Sequence, residues 1–140
     1  MLKTILQASE NFCIHQIRVP YVLKDGINKK RTLIAHIDID VVDGRKYRIY
    51  IASTVNFMQR ISKIYLEEDE SDEETLMDML LETSNLIVGS AKVIAEEADK
   101  SPFTISTPHF EKISNFDFEY DEAKIIKIEN DEMIIAIKEI

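Results

Sequence analysis

The apolar positions along the chain change period several times, and each change predicts an element. Leu2, Ile5, Leu6, Phe12 and Cys13 recur at helical spacing and predict an amphipathic helix over residues 1–14. Residues 16–23 alternate instead, which predicts a strand, and Pro20 pushes that strand toward an edge or a bulge. Asp25-Gly26 and the lysines around it read as a solvated turn over 24–30. From Thr32 to Val42 the alternation is clean. Leu33, Ala35, Ile37, Ile39 and Val41 point one way, and Thr32, Ile34, His36, Asp38 and Asp40 point the other. Asp43-Gly44 supplies a hairpin turn, and residues 45–52 return as a strand with Tyr47, Ile49 and Ile51 on one face. Thr54 can cap a helix carrying Val55, Phe57, Met58, Ile61, Ile64 and Tyr65, with Arg60 and Lys63 placed late, as the helix dipole prefers.

The dominant pattern is a long amphipathic run from Ser71 to Asp99, without proline and with Gly89 as its single glycine. Ser71 followed by Glu74 has the form of a capping box, and acidic residues fill the first turn. Asp78, Glu82, Asn85, Gly89, Lys92 and Glu96 fall within roughly 40° of one line at 3.6 residues per turn. The opposite face carries Leu76, Leu80, Thr83, Ile87, Ala91 and Ile94. Its flanks are apolar too, with Met79, Leu86 and Val93 on one side and Met77, Leu81 and Val88 on the other. The proportions predict a helix sunk into the fold on three sides with one thin polar seam.

Beyond it, Lys100-Ser101-Pro102 breaks the helix. Phe103 to Ser106 reads as a short strand, and Thr107-Pro108 could open a helical turn. Phe116, Phe118 and Tyr120 alternate with acidic residues. Residues 123–128 and 133–137 flank Glu129-Asn130-Asp131-Glu132, a second hairpin signal. No linker, low-complexity tract or repeat interrupts the chain. The expected architecture is α+β: one domain over residues 1–140, a mostly antiparallel sheet packed against a long central helix and shorter helices on one face.

Composition narrows the function. The chain has 140 residues, 45% of them apolar, enough for one real core. A net charge of -9 argues against nucleic acid and against anionic lipid, because either partner would call for a basic surface. No apolar run approaches the ~18 residues of a membrane span. The N-terminus lacks the pattern of a secretory signal, so the expected location is the cytoplasm. The single cysteine, Cys13, reads as a core thiol. His36, Asp38 and Asp40 share a strand face and could hold a divalent metal, but the polar face of a hairpin gives the same pattern, and no metal site is expected. There is no nucleophile elbow and no paired-cysteine motif. With three glycines in all, a phosphate-cradling loop is not expected either.

The remaining candidate is Glu82-Thr-Ser-Asn85 in the polar seam. A carboxylate and an amide three residues apart project together from a helix. The amide can hold a water while contacting a second acceptor, and the carboxylate can accept a charge-assisted bond from a lysine. Gly89, one turn on, costs about 1 kcal/mol against alanine in a helix interior, yet clears space for another backbone. The set suits the orienting of one water inside another protein's active site.

Asp78-x-x-x-Glu82-x-x-Asn85, continuing as Leu-Ile-Val-Gly89-Ser-Ala91-Lys92, resembles the signature helix of the CheX/CheC/FliY phosphatases of bacterial chemotaxis, in the form of the CheX branch. The resemblance implies hydrolysis of the phosphoaspartate of a CheY-type response regulator. Glu82 would pair with the regulator's lysine and Asn85 would orient the attacking water. Asp78, Gly89 and Lys92 would face the partner. The family implies no cofactor of the protein's own, since the regulator contributes the Mg²⁺. The chain has one Glu-x-x-Asn where CheC has two, which favours the CheX branch, whose members have one site and tend to form homodimers. The rival expectation is a non-catalytic adaptor for a regulator or a flagellar switch component.

Overall fold

A computed structural model describes residues 1–98 and 102–140. The elements are α1 (Leu2–Phe12), a wide π-turn (Cys13–Ile17), β1 (Val22–Asp25), β2 (Arg31–Val41), β3 (Lys46–Thr54) and α2 (Val55–Leu66). There follow α3 (Glu73–Glu97), β4 (Phe103–Ile105), β5 (His109–Asn115), β6 (Glu122–Ile128) and β7 (Asp131–Glu139). All strand pairings are antiparallel. The sheet runs β1-β6-β7-β3-β2-β4, and β5 pairs with β2 on the same side as β4. The expected α+β architecture, an antiparallel sheet against a long helix, is what the chain adopts.

The period-two pattern of β2 sets the layers. Leu33, Ala35, Ile37, Ile39 and Val41 are all buried in one core with Ile49 and Ile51 of β3, Met133, Ile135 and Ile137 of β7, and the inner faces of α1, α2 and α3. The other face was expected to be solvated, and through the middle of the sheet it is not. Ile34, Tyr50, Ala52, Ile125, Ile134 and Ala136 form a second core, closed by Phe116 and Phe118 from the irregular segment between β5 and β6. Phe118 stacks on the Tyr50 ring at 4.8 Å and Phe116 meets it edge-on at 5.4 Å. The alternating aromatics are thus a cover for the sheet.

Local chemistry explains the other departures. The strand expected over 16–23 is a helical continuation followed by a later strand. Cys13 and Ile17, four apart, are both buried, so a helical pairing had mimicked alternation. The turn stops at Arg18, whose φ is 61° and whose N–H donates to the Cys13 carbonyl. Strand β1 starts only at Val22 and is exposed throughout. No helical turn opens at Thr107-Pro108. Ser106 instead extends the pairing with β2, its N–H donating to the Asp38 carbonyl and its Oγ accepting from the Asp38 N–H, both at 2.9 Å. The chain then re-enters the sheet as β5.

The hairpin at Asp43-Gly44 forms, but its loop spans Val42–Gly44, with Val41 N–H bonded to the Arg45 carbonyl and Gly44 at φ 98°. A glycine at this left-handed position is the usual way to close a three-residue loop. The second hairpin turns at Glu129-Asn130, between paired Ile128 and Asp131.

Helix α3 starts one residue later than the capping box implies. Asp72 is the cap, its carboxylate accepting from the Thr75 N–H at 2.8 Å. Ser71 is buried instead and bonds to α2. Thr54 precedes α2 but does not cap it with its side chain, because its hydroxyl accepts from the Glu132 N–H. The helix ends at Glu97, with Ala98 as its cap residue. The last residue of the expected helix, Asp99, and the Lys100-Ser101 part of the expected break lie outside the described residues. Among the described residues, no helix is long and apolar enough to cross a membrane.

Candidate functional site

The site is built on the middle turns of α3. Leu76, Met79, Leu80, Thr83, Ile87, Val88 and Ala91 hold the helix down on the core and are all buried. That anchoring leaves Asp78, Glu82 and Asn85 exposed on the outer face. Among the described residues, neither Glu82 nor Asn85 has a hydrogen-bond or ion-pair partner. Their polar atoms are free for a second molecule, and the backbone beneath them cannot move far. Side chains three apart on a helix have Cβ atoms about 5–6 Å from each other, so one ligand could touch both.

The outer face is wider and more apolar than the pattern suggested. Leu86 and Val93, expected as buried flanks, are 42% and 49% exposed. Lys92 is half-buried and, among the described residues, has no ion-pair partner. Gly89 is half-buried as well, and a Cβ built there would meet nothing within 4 Å. No neighbour among the described residues therefore requires a glycine at that position.

Residues outside α3 complete the surroundings, and sequence spacing did not identify them as such. Tyr65, at the end of α2, stacks on Phe12 of α1 with ring centroids 6.4 Å apart, and its hydroxyl donates weakly to Gln16 at 3.4 Å. Burial and the nearby Glu82 carboxylate push the Tyr65 phenol upward, which keeps it protonated. On either side of Tyr65 lies a shallow depression. One runs between α1 and α3 past His15, Leu86 and Ser90, and the other lies beside Leu66, Asp78 and Glu82. The fold brings His15, at the end of the first helical stretch, within the first of these. The signal that could have found Tyr65 is an aromatic residue placed late on α2, immediately before an acidic connection.

The other candidates are engaged elsewhere. Asp38 receives Nε and Nη2 of Arg48 at 2.8 and 3.0 Å, and this bond holds its carboxyl below the usual range. His36 is buried, its Nδ1 against the Glu111 carboxylate and its ring stacked on His109. Asp40 is exposed near Lys46. Among the described residues, no three or more His, Cys, Asp or Glu side chains converge as a metal site would require. Cys13 is buried, and its thiol is pushed up to about 12 by desolvation and by Glu10, which makes it unreactive.

The described geometry supplies an oriented carboxylate and amide on a rigid helix, an apolar surround and an open approach. Such a set can hold and position a second molecule.

Comparison with known proteins gives the family and the fold. The family described as "Chemotaxis phosphatase CheX" matches residues 37–130. No curated protein matches the sequence. Among solved structures, the chain is similar to the chemotaxis protein CheX from Vibrio vulnificus (TM-score 0.77, 18% identity, covering 96% of this chain and 95% of that one). It is also similar to a chemotactic CheC-like protein from Shewanella oneidensis (0.78, 14%, 97% and 96%). A third likeness is to the CheX–CheY–BeF3–Mg²⁺ complex from Borrelia burgdorferi (0.70, 16%, 98% and 97%). At these identities the structures speak for the fold, and the match to the family speaks for membership. With that match spanning more than half of its length, the chain belongs to the CheX chemotaxis phosphatase family.

Proposed function

We propose that this protein hydrolyses the phosphoaspartate of a CheY-type response regulator, with residues 1–140 acting as a single CheX-like domain. The observation that carries the reading is the state of Glu82 and Asn85. They are adjacent, exposed and anchored on a buried helix, and among the described residues neither bonds to the chain that carries it. Family membership adds the reaction class, and the Borrelia protein crystallised with CheY, BeF3 and Mg²⁺ adds the kind of partner.

In this reading the helix enters the regulator's active site. Glu82 accepts a bond from a regulator lysine and fixes the depth and rotation of the insert. Asn85 holds a water in line with the phosphorus. The water oxygen forms a bond to phosphorus as the bond to the aspartyl oxygen breaks, releasing inorganic phosphate and the free carboxylate. The regulator supplies Mg²⁺ to offset charge on the phosphoryl oxygens. The gain comes from orientation. Gly89 lets the regulator's backbone approach, and Asp78 and Lys92 flank the contact. The setting is the cytoplasm, where the regulator works.

The test is decay of the phosphorylated regulator in the presence of Mg²⁺ and catalytic amounts of the protein. Asn85→Ala should slow the catalysed decay on the order of 100-fold while largely sparing binding, and Glu82→Lys should weaken both. Phosphorylation-sensitive binding without turnover by the wild-type protein would favour the adaptor reading.

A further inference from the structure

Tyr65 is the one side chain that lines both depressions, the one that reaches Leu86 and Ser90 on α3 and the one that reaches Asp78 and Glu82. It is 39% exposed, and Leu66 and Leu86 next to those depressions are 45% and 42% exposed. Clustered exposed apolar side chains with a polar rim mark a protein-binding surface. The ring is held in place by its stack on Phe12, so it offers a rigid face at little entropic cost.

One end of this surface is strongly charged. Seven of the eight residues in 67–74 are acidic. Only Asp69 and Glu73 have a cation nearby among the described residues, Lys63 at 3.9 Å and Arg31 at 3.0 Å. Glu67, Glu70, Glu74, Asp78 and Glu82 have none. The segment is also fixed in place. Gln59 bonds both backbone groups of Ser71, and the Ser71 hydroxyl bonds to Ser62 and to Glu68. A held cluster of like charges works against folding and raises the rate of encounter with a cationic partner. A second copy of this chain, at net charge -9, would meet repulsion here.

We infer that Tyr65 and the acidic 67–74 connection are the docking surface for the regulator. Tyr65 is the anchor for an apolar side chain next to the regulator's active site, and the connection steers a face bearing basic side chains. The inference rests on the phosphatase reading for its choice of partner and goes beyond it in assigning selection to residues off α3. Tyr65 positions and selects; it does not touch the reacting atoms.

Steady-state hydrolysis of the phosphorylated regulator, measured against its concentration and against salt, tests the assignment. Tyr65→Ala should raise KM about tenfold with kcat within about twofold, and Tyr65→Phe should match the wild type. The triple variant Glu67→Gln, Glu70→Gln, Glu74→Gln should lower kcat/KM about tenfold at low salt and flatten its salt dependence. The triple variant alters only exposed side chains, so it decides the matter even if Tyr65→Ala folds poorly. Unchanged KM in Tyr65→Ala together with unchanged salt dependence in the triple variant overturns the docking surface and leaves the phosphatase reading standing. Binding of the beryllofluoride-loaded regulator that depends on Tyr65, without turnover by the wild type, does the reverse. Loss of a homodimer in Tyr65→Ala would assign the surface to a second copy and overturn the inference.

Discussion

The side-chain amide of Gln59 closes on Ser71 from both sides, Nε2 donating to its carbonyl at 2.8 Å and Oε1 accepting from its N–H at 2.9 Å. This is the pairing one strand residue gives another, made by a side chain from α2. It fixes where the acidic connection turns into α3, and so the position of Tyr65 relative to Glu82.

Gln59→Ala leaves two backbone groups of a buried residue without partners. The expected loss is about 2 kcal/mol in urea unfolding. Faster hydrogen exchange should concentrate at residues 67–75. Exchange unchanged in that segment would show that the connection is held by the Ser62–Ser71 contact alone.

Gly89 gives a test in which stability and function should part. A Cβ there meets no neighbour, so Gly89→Ala is expected to stabilise the protein by up to ~1 kcal/mol through helix propensity. If the partner's backbone passes over this position, the same change raises KM for the regulator. A more stable protein with unaltered KM would remove Gly89 from the contact surface.

Thr83 lies under the site, and among the described residues its buried hydroxyl has no hydrogen-bond partner. Neighbouring Ser84 satisfies its own hydroxyl by bonding back to the Leu80 carbonyl at 2.7 Å. Thr83→Val keeps the shape and removes the unsatisfied group, so thermal and urea unfolding should show a gain of about 1 kcal/mol. A loss of similar size would mean that the hydroxyl is satisfied by a bound water.

Acidification should weaken the fold in two stages. Burial and the Arg48 guanidinium hold His36 below the ordinary 6.5, against the opposing pull of Glu111 and Asp38. The unfolded chain therefore takes up the proton first, and stability falls as pH drops below about 6.5. The bond from Arg48 holds Asp38 below its ordinary 3.8. Burial by itself would raise Glu132, but its bonds from Asn28 and Lys30 hold it below its ordinary 4.5. For both carboxylates the stabilisation is present above those ordinary values and is lost as pH falls through the lower folded ones. His36→Gln should abolish the upper stage and leave the lower one, as read from unfolding free energy between pH 8 and pH 3.

Much of this fold is legible in the sequence because one-sided burial imposes a period. Helix α3 and the inward-pointing residues of β2 and β3 bury against the same core at their own periods, and the polar turn between β6 and β7 marks the second hairpin. Legibility fails where two periods coincide. Ile17 lies inside a stretch that alternates and also stands at helical spacing from Cys13, and only the core beneath the two selects the turn. It fails again where burial comes from a distant segment. Nothing local to Ile34 or Tyr50 indicates that Phe116 and Phe118 will cover them.

The candidate site divides the same way. Glu82, Asn85 and Gly89 share a line because α-helical geometry is set by the backbone, so their alignment follows from spacing alone. Their exposure, the openness of Leu86 and Val93, and the arrival of Tyr65 depend on how α1 and α2 dock against α3. Those contacts join residues far apart in the chain, and no periodicity within one element encodes them. Helical spacing alone puts these side chains together, whereas their surroundings come from packing between elements, a property of surfaces that meet only on folding.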